Sequence, residues 1–351
     1  MSTAPLPTPS GWFAVGFSHD LQPSQLWSRT FCGDELVIFR TASGTIGAVH
    51  AYCPHLGAHM GRGGCVSGEL LECPFHAFRF DTNGQCQETG YGSKVPPKAV
   101  VKTWPTQETN GLILVWHGHA GEAPTFGVPT YLDAGWATPM SHEFRLKSHP
   151  QETTENSVDI GHLSIVHGYE NVEMLDPLEL DDAHLTAKYA MTRPNPFGPG
   201  LPSVRSEFRV HVHGLGVSIV DVRVLGIELR FRLFVLPQPT DTEYVQLRVA
   251  VSMCLDHPLG RGLPLVGSLV DALVRPIVQR ATLRGLVHDV QQDFEVWENK
   301  IHLSQPALAK GDGPIGAYRR YCRQFYPTVE QPGRPIVEVA ASGHLAATPA
   351  G

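Results

Sequence analysis

Cys53-Pro54-His55 and, after 17 intervening residues, Cys73-Pro74-Phe75-His76 decide how this chain is read. Each stretch offers one thiolate and one imidazole. Two such pairs on two loops can hold a [2Fe–2S] cluster, with the thiolates on one iron and the imidazoles on the other. Neutral imidazoles in place of anionic thiolates lower the negative charge around one iron, so the cluster is easier to reduce than an all-cysteine one. Pro54, Gly57, Gly61, Gly63, Gly64 and Pro74 suit tight loops around inorganic sulfide. Zinc also takes Cys and His, but its usual spacing sets two Cys two to four residues apart with two His nearby. Here each pair is mixed, and one has a single residue between its members.

Around these loops, residues 11–120 read as an all-β domain. Short strand-like runs recur at Gly11 to Val15, Glu35 to Arg40, Ile46 to His50 and Leu112 to Trp116, punctuated by Gly, Pro and Asn. Residues 121–135, within the Gly/Pro-rich stretch Gly118 to Gly135, read as a linker. A second domain is expected over 136–330. Strand patterns run from Ser206 to Val212, Gly216 to Val222, Glu228 to Val235 and Glu243 to Met253. Helical stretches are expected around Glu152 to His167 and from about Leu263 to Lys300, where Leu265, Leu269, Leu273 and Ile277 recur every four residues. The Ala/Gly/Pro-rich residues 331–351 read as a loose tail.

A second cluster of ligand-type residues lies in Asn156-Ser157-Val158-Asp159-Ile160-Gly161-His162-Leu163-Ser164-Ile165-Val166-His167. Two His and one carboxylate on one face of Fe(II) leave positions open for O₂ and substrate. Five residues leave His162 and His167 about 140° out of register on an ideal helix. Both can reach one metal only if the helix is distorted or ends between them. Asp159 and His162, three apart, share a face. A carboxylate far along the chain would complete the set, and His288 to Lys300 offers Asp289 and Asp293.

Residues 53–76 resemble the cluster motif of Rieske proteins. Respiratory Rieske proteins carry an additional Cys in each loop, joined as a disulfide. Ala58 and Phe75 stand at the matching positions here, so the loops resemble the oxygenase and ferredoxin branch. Cys65 and Cys86, with Cys32, Cys254 and Cys322, are expected as buried or half-buried free thiols. Residues 159–167 resemble the Asp-x₂-His-x₄-His motif of Rieske non-haem iron oxygenases. In that family the third ligand is an Asp four positions before a Trp, which selects Asp293 before Trp297 over Asp289. The resemblance implies Cys53, His55, Cys73 and His76 on the cluster and His162, His167 and Asp293 on a mononuclear Fe(II). It also implies that Asp159 bridges His76 of one subunit to His162 of a neighbour, and hence a homotrimer, because the two metal centres of one subunit lie too far apart for rapid electron transfer. The implied fold is an N-terminal all-β Rieske domain followed by a C-terminal α+β helix-grip domain of the START/Bet v 1-like kind.

The implied activity is that of a monooxygenase using O₂ and electrons from NAD(P)H, delivered by a separate reductase or ferredoxin. The stretches from Glu155 to Tyr169, Asp293 to Lys300 and Asp312 to Ile315 look closest to ketosteroid 9α-hydroxylases and cholesterol 7-desaturases. That implies hydroxylation of a lipophilic, steroid-like substrate, with desaturation or demethylation by the same metals as the alternative. A Rieske ferredoxin, a pure electron carrier, would end near residue 110 and lack the second cluster of ligands. A non-catalytic binding protein of the same fold would lack a ligand, and none is missing.

Bulk composition fits this outline. Apolar residues make up 42% and charged ones 17% of 351, which accords with extensive buried surface. A net charge of −7 speaks against nucleic acid as partner. Seven cysteines suit metal ligands and free thiols better than a disulfide framework. Met1 to Ser10 lacks the basic-then-apolar order of a secretory leader, so a cytoplasmic location is expected. The amphipathic stretch Gly262 to Val278 suits core, subunit contact or a peripheral membrane contact.

Overall fold

The computed structural model describes residues 6–194, 202–227, 229–254 and 264–327. The N-terminal half is built from short antiparallel strands in three small sheets. Strand β1 (Gly11–Phe17) pairs with β10 (Leu112–His117), which pairs with β9 (Thr106–Thr109). A second sheet joins β2 (Leu26–Phe31), β3 (Asp34–Arg40) and β4 (Ile46–His50). The third joins β5 (Cys65–Ser67), β6 (Leu70–Glu72), β7 (Arg79–Phe80) and β8 (Cys86–Glu88). The placement of β3 explains the apolar run Leu36 to Phe39 at its centre. Leu36 and Ile38 pack into one cluster with Phe13 and Phe31, while Val37 and Phe39 pack into another with Met60 and Phe80. A strand buried on both faces has no polar side to alternate with. Each such side chain contributes about 1.5–3 kcal/mol on burial.

The C-terminal half is one seven-stranded antiparallel sheet ordered β11-β17-β16-β15-β14-β13-β12. Its strands are β11 (Met140–Lys147), β12 (Glu170–Asp181), β13 (His184–Arg193), β14 (Val204–His213), β15 (Val217–Val224), β16 (Leu229–Pro239) and β17 (Tyr244–Met253). Helices α1 (Pro150–Glu155) and α2 (Ile160–Ile165) follow β11, and α3 (Pro264–Gln292), α4 (Phe294–Asn299) and α5 (Ile315–Cys322) follow β17. Residues alternate between the two faces of the sheet. Leu185, Val210, Val220, Val222 and Phe231 pack with Tyr318 and Tyr321 of α5 and with Leu283 and Leu286 of α3. Val217, Ile219, Phe234 and Leu236 face the other way, onto Trp12, Ala14, Leu114 and Trp116 of the N-terminal half.

The junction between the halves is polar at its centre. Arg248 on β17 is 2% exposed, and its guanidinium donates to Ala14 O (2.8 Å), Gln238 Oε1 (3.1 Å) and Glu143 Oε1 (2.8 Å). Residues 121–135 are strapped down rather than loose. Trp12 Nε1 donates to Phe126 O, Asn110 Nδ2 to Pro129 O, and the Tyr131 hydroxyl meets His213 Nε2 at 2.9 Å.

Two expected helices are each broken. The stretch 152–167 divides into α1 and α2, because Asp159 takes a non-helical backbone (φ −78°, ψ 90°) and caps α2. The long C-terminal helix divides into α3 and α4, and the break falls at Asp293. Cys65 is exposed, not buried or half-buried, since the short hairpin β5–β6 leaves it facing solvent; Cys86, Cys254 and Cys322 are buried and Cys32 partly so. Residues 331–351 lie outside the described set. Side chains of the expected amphipathic stretch are described from residue 273 onward, and Leu273 and Ile277 are exposed. Among the described residues no helix is long and apolar enough to cross a membrane.

Arg248→Ala would strand the Gln238 and Ala14 acceptors in a dry junction. The expected cost is about 3 kcal/mol of unfolding free energy, read from chemical denaturation of the variant beside the parent.

Candidate metal centres

The first centre sits on two loops folded alike. Cys53 N donates to Ala58 O and Gly57 N to Cys53 O, while Cys73 N donates to Phe78 O and Ala77 N to Cys73 O. The turns close at left-handed residues, Gly57 (φ +75°) and Ala77 (φ +50°). Gly90 presses against the second loop so closely that a Cβ there would stand 2.3 Å from His76 O. Both sulfur-bearing residues are 3% exposed. The His55 and His76 rings lie 4.8 Å apart between centroids, and Phe78 stacks on His55 at 4.4 Å.

Two features fit a cluster held by these four residues. His76 Nδ1 is buried without a hydrogen-bond partner, which is costly for an imidazole nitrogen unless something else binds it. Burial and the adjacent Cys73 sulfur push the Cys53 thiol up to about 11. A cationic iron beside such sulfurs favours the thiolate form and removes that penalty. Around the imidazoles the surface is apolar: Leu56, Phe75 and Tyr91 are 66%, 60% and 61% exposed, unusual for a cluster of large apolar side chains.

The second centre joins α2 to the α3–α4 break. Ligand atoms of His162, His167 and Asp293 all lie within 4.8 Å of one another. Helix α2 ends between the two histidines, with Val166 as its C-cap, so His167 leaves the helix and turns back. That resolves the 140° mismatch. His162 Nδ1 is held by its own turn, donating to Asp159 O, which leaves Nε2 for a metal. His167 Nε2 stands 3.6 Å from Asp293 Oδ2. Its Nδ1 donates to Gln292 Oε1 at 2.8 Å.

Asp293 is 6% exposed, and burial pushes its carboxyl up despite the two imidazoles and a hydrogen bond from Asn156. A buried carboxylate facing two imidazoles suits a divalent metal. Asp289 lies apart from this trio. Its Oδ2 accepts from the Tyr169 hydroxyl (2.7 Å) and its Oδ1 from Arg193 (2.9 Å). Asp159 sits at the N-cap of α2, its Oδ1 accepting from His162 N at 3.2 Å, and its side chain is 33% exposed. Burial raises the Asp159 carboxyl, but its bonds from His162 bring it net below the usual range.

A buried ion network holds these segments together. Glu152 on α1 pairs with Lys300 (2.5 Å) and His302 (2.8 Å), and Glu155 with Arg319 of α5 (2.7 Å) and Lys300 (3.4 Å). Helix α1 leads into α2, and Lys300 follows α4, so the network ties the His-bearing segment to the Asp-bearing one. Sequence reading did not find Glu152, Glu155 or Gln292 as parts of the site. Single charged or amide residues carry no spacing signal when their partners are distant in the chain.

Comparison with known proteins adds the following. The Rieske [2Fe-2S] domain family matches residues 11–105, and the 3-ketosteroid 9alpha-hydroxylase C-terminal domain family matches residues 115–326. A cholesterol 7-desaturase from Bombyx mori is 32% identical over 340 residues, spanning 93% of this chain and 71% of that protein. A probable 3-ketosteroid-9-alpha-monooxygenase oxygenase component from Rhodococcus rhodochrous is 27% identical, spanning 91% and 80%. Among solved structures, dicamba monooxygenase bound to dicamba shares the fold with a TM-score of 0.63 at 18% identity, over 92% of this chain and 98% of that one.

Glu152 is held at about 2, far below an ordinary carboxyl: burial alone would raise it, and His302 and Lys300 overcome that. A depressed carboxyl contributes stability above its unfolded value and loses it as pH falls toward the folded one. Glu152→Gln should therefore cost about 3 kcal/mol at pH 7. The gap between parent and variant should close as pH drops from about 4.5 toward 2, measured by denaturant titration at each pH.

Proposed function

Because this chain belongs to the Rieske non-haem iron oxygenases that carry a 3-ketosteroid 9α-hydroxylase type of C-terminal domain, we propose that it is the oxygenase component of a system that hydroxylates a steroid or sterol. It is an oxidoreductase that works with a Rieske [2Fe–2S] cluster and a mononuclear iron. We place the cluster on Cys53, His55, Cys73 and His76, and the iron on His162, His167 and Asp293. The observation that carries the reading is the convergence of those last three, from two segments far apart in the chain, within 4.8 Å. The division we propose is a Rieske domain over 11–120, a strapped connection over 121–135 and a catalytic domain over 136–330.

When bound, the cluster supplies single electrons and the iron supplies O₂ activation, the chemistry by which a C–H bond is hydroxylated. The residues of the chain set the conditions for it. Asp293, His162 and His167 would hold the iron with one carboxylate and two imidazoles, a donor set that would suit it to O₂ activation. The imidazole Nδ1 protons, donated to Asp159 O and Gln292 Oε1, keep the Nε2 atoms facing inward. Val158, Leu163 and Tyr169 belong to the apolar core beside the trio and keep water scarce there. Electrons come from a separate reductase drawing on NAD(P)H, as for an oxygenase component.

Asp159 is proposed to bridge His162 to the His76 of a neighbouring copy in a homotrimer. Its partly open carboxylate and the apolar rim of Leu56, Phe75 and Tyr91 around the cluster support that reading. Desaturation of a sterol is the second reading. It uses the same residues and is favoured by the 32% identity to a cholesterol 7-desaturase.

Supplied with a surrogate reductase and a panel of steroids and aromatics, the protein should yield steroid products gaining one oxygen. Products lacking two hydrogens would select the second reading, and turnover of aromatics alone would overturn both. Asp293→Ala should lower the metal content from about three irons per chain to about two, with the visible absorption of the cluster retained. Asp159→Asn should keep both centres loaded but slow turnover roughly tenfold or more; single-turnover oxidation of the reduced cluster measures it.

A further inference from the structure

Helix α3 ends in an exposed residue whose side-chain amide reaches an imidazole. Gln292 is the last residue of α3 and the one before Asp293. Its Oε1 accepts from His167 Nδ1 at 2.8 Å, and its Nε2 donates to His288 Nε2, one turn back, at 3.3 Å. Both polar ends of the amide are thus engaged. An amide held at both ends has one orientation, with the oxygen toward His167.

From this contact we infer that Gln292 is a positioning residue for the iron site: it fixes the tautomer and ring angle of His167, and His288 in turn fixes Gln292. The inference rests on the assignment of iron to His162, His167 and Asp293. With the proton on Nδ1, the lone pair of His167 is on Nε2, the nitrogen 3.6 Å from Asp293 Oδ2. A ring free to rotate or to carry its proton on Nε2 would present no lone pair to the metal. His162 needs no such side chain, because Asp159 O, in its own turn, does the same task. His167 has left the helix, and among the described residues no backbone carbonyl bonds its Nδ1. Position 292 supplies the missing acceptor. Asp289, one turn before Asp293, is held by Tyr169 and Arg193, which keeps the last turns of α3 in place beneath Gln292.

Outer-shell acceptors of this kind typically contribute 10–100-fold to metal affinity. The test is competition for the mononuclear iron. Protein with its cluster intact is dialysed against graded concentrations of a ferrous chelator, and iron per chain is measured with the visible absorption of the cluster as an internal reference. Gln292→Ala should release the third iron at a chelator concentration 10–100-fold lower than the parent requires. Gln292→Glu keeps an acceptor at the same reach and should retain iron like the parent. His288→Ala should fall between the two. Thermal unfolding of the iron-free forms should be alike in all four proteins, which separates a positioning role from a folding one. Equal retention by Gln292→Ala and the parent would overturn the inference while leaving the iron assignment standing. A parent that retains no third iron at any chelator concentration would overturn both.

Discussion

A trio of candidate metal ligands drawn from two distant segments needs something to bring those segments together, and here that something is a buried ion network. Glu152 and Glu155 are both under 10% exposed and reach across to Lys300, His302 and Arg319. Buried charges of this kind are tolerated only when each has a partner. The pairs therefore specify one relative placement of α1 and the segment after α4. Because α1 runs directly into Asp159 and α2, and Asp293 opens α4, that placement is also the spacing of the candidate ligands. The carboxylates do not touch the trio, yet the trio depends on them.

The cluster end solves the same problem locally. Two loops with matching hydrogen bonds, each closed by a left-handed residue, present a Cys at the same place and a His at offset places. No long-range pairing is needed because each loop is a self-contained turn, and Gly90 lets a neighbouring strand end lie flat against one of them. This contrast accounts for what could be read from the amino-acid sequence. The Cys-x-His and Cys-x₂-His pairs are contiguous, so the Rieske domain itself was legible at once. So were the apolar run Leu36 to Phe39 of β3 and strands β14 to β17 of the large sheet, whose periodicity is imposed by burial on one face or two, whereas β11, β12 and β13 were not read.

Less legible was whatever depended on meetings across the chain. The stretch 152–167 reads as one helix because its residue types permit a helix throughout. The break at Asp159 comes from a carboxylate finding the His162 N–H, a competition of side chain against backbone. Asp289 and Asp293 are one turn apart and alike in type. Only the three-dimensional placement of Tyr169 and Arg193 shows that the first is occupied. Gln292 carries no signal at all in sequence, since an amide at a helix end is ordinary.

The dry guanidinium of Arg248 has a consequence for movement. It grips the backbone of the first strand from within the large sheet, and the strapped residues 126–131 add further ties across the same seam. A module fastened in this way cannot pivot on a flexible tether. The separation between the tip carrying His55 and His76 and the sheet behind it is consequently a rigid length. Bending at this seam is therefore not a route by which those two rings could change their distance from the large sheet.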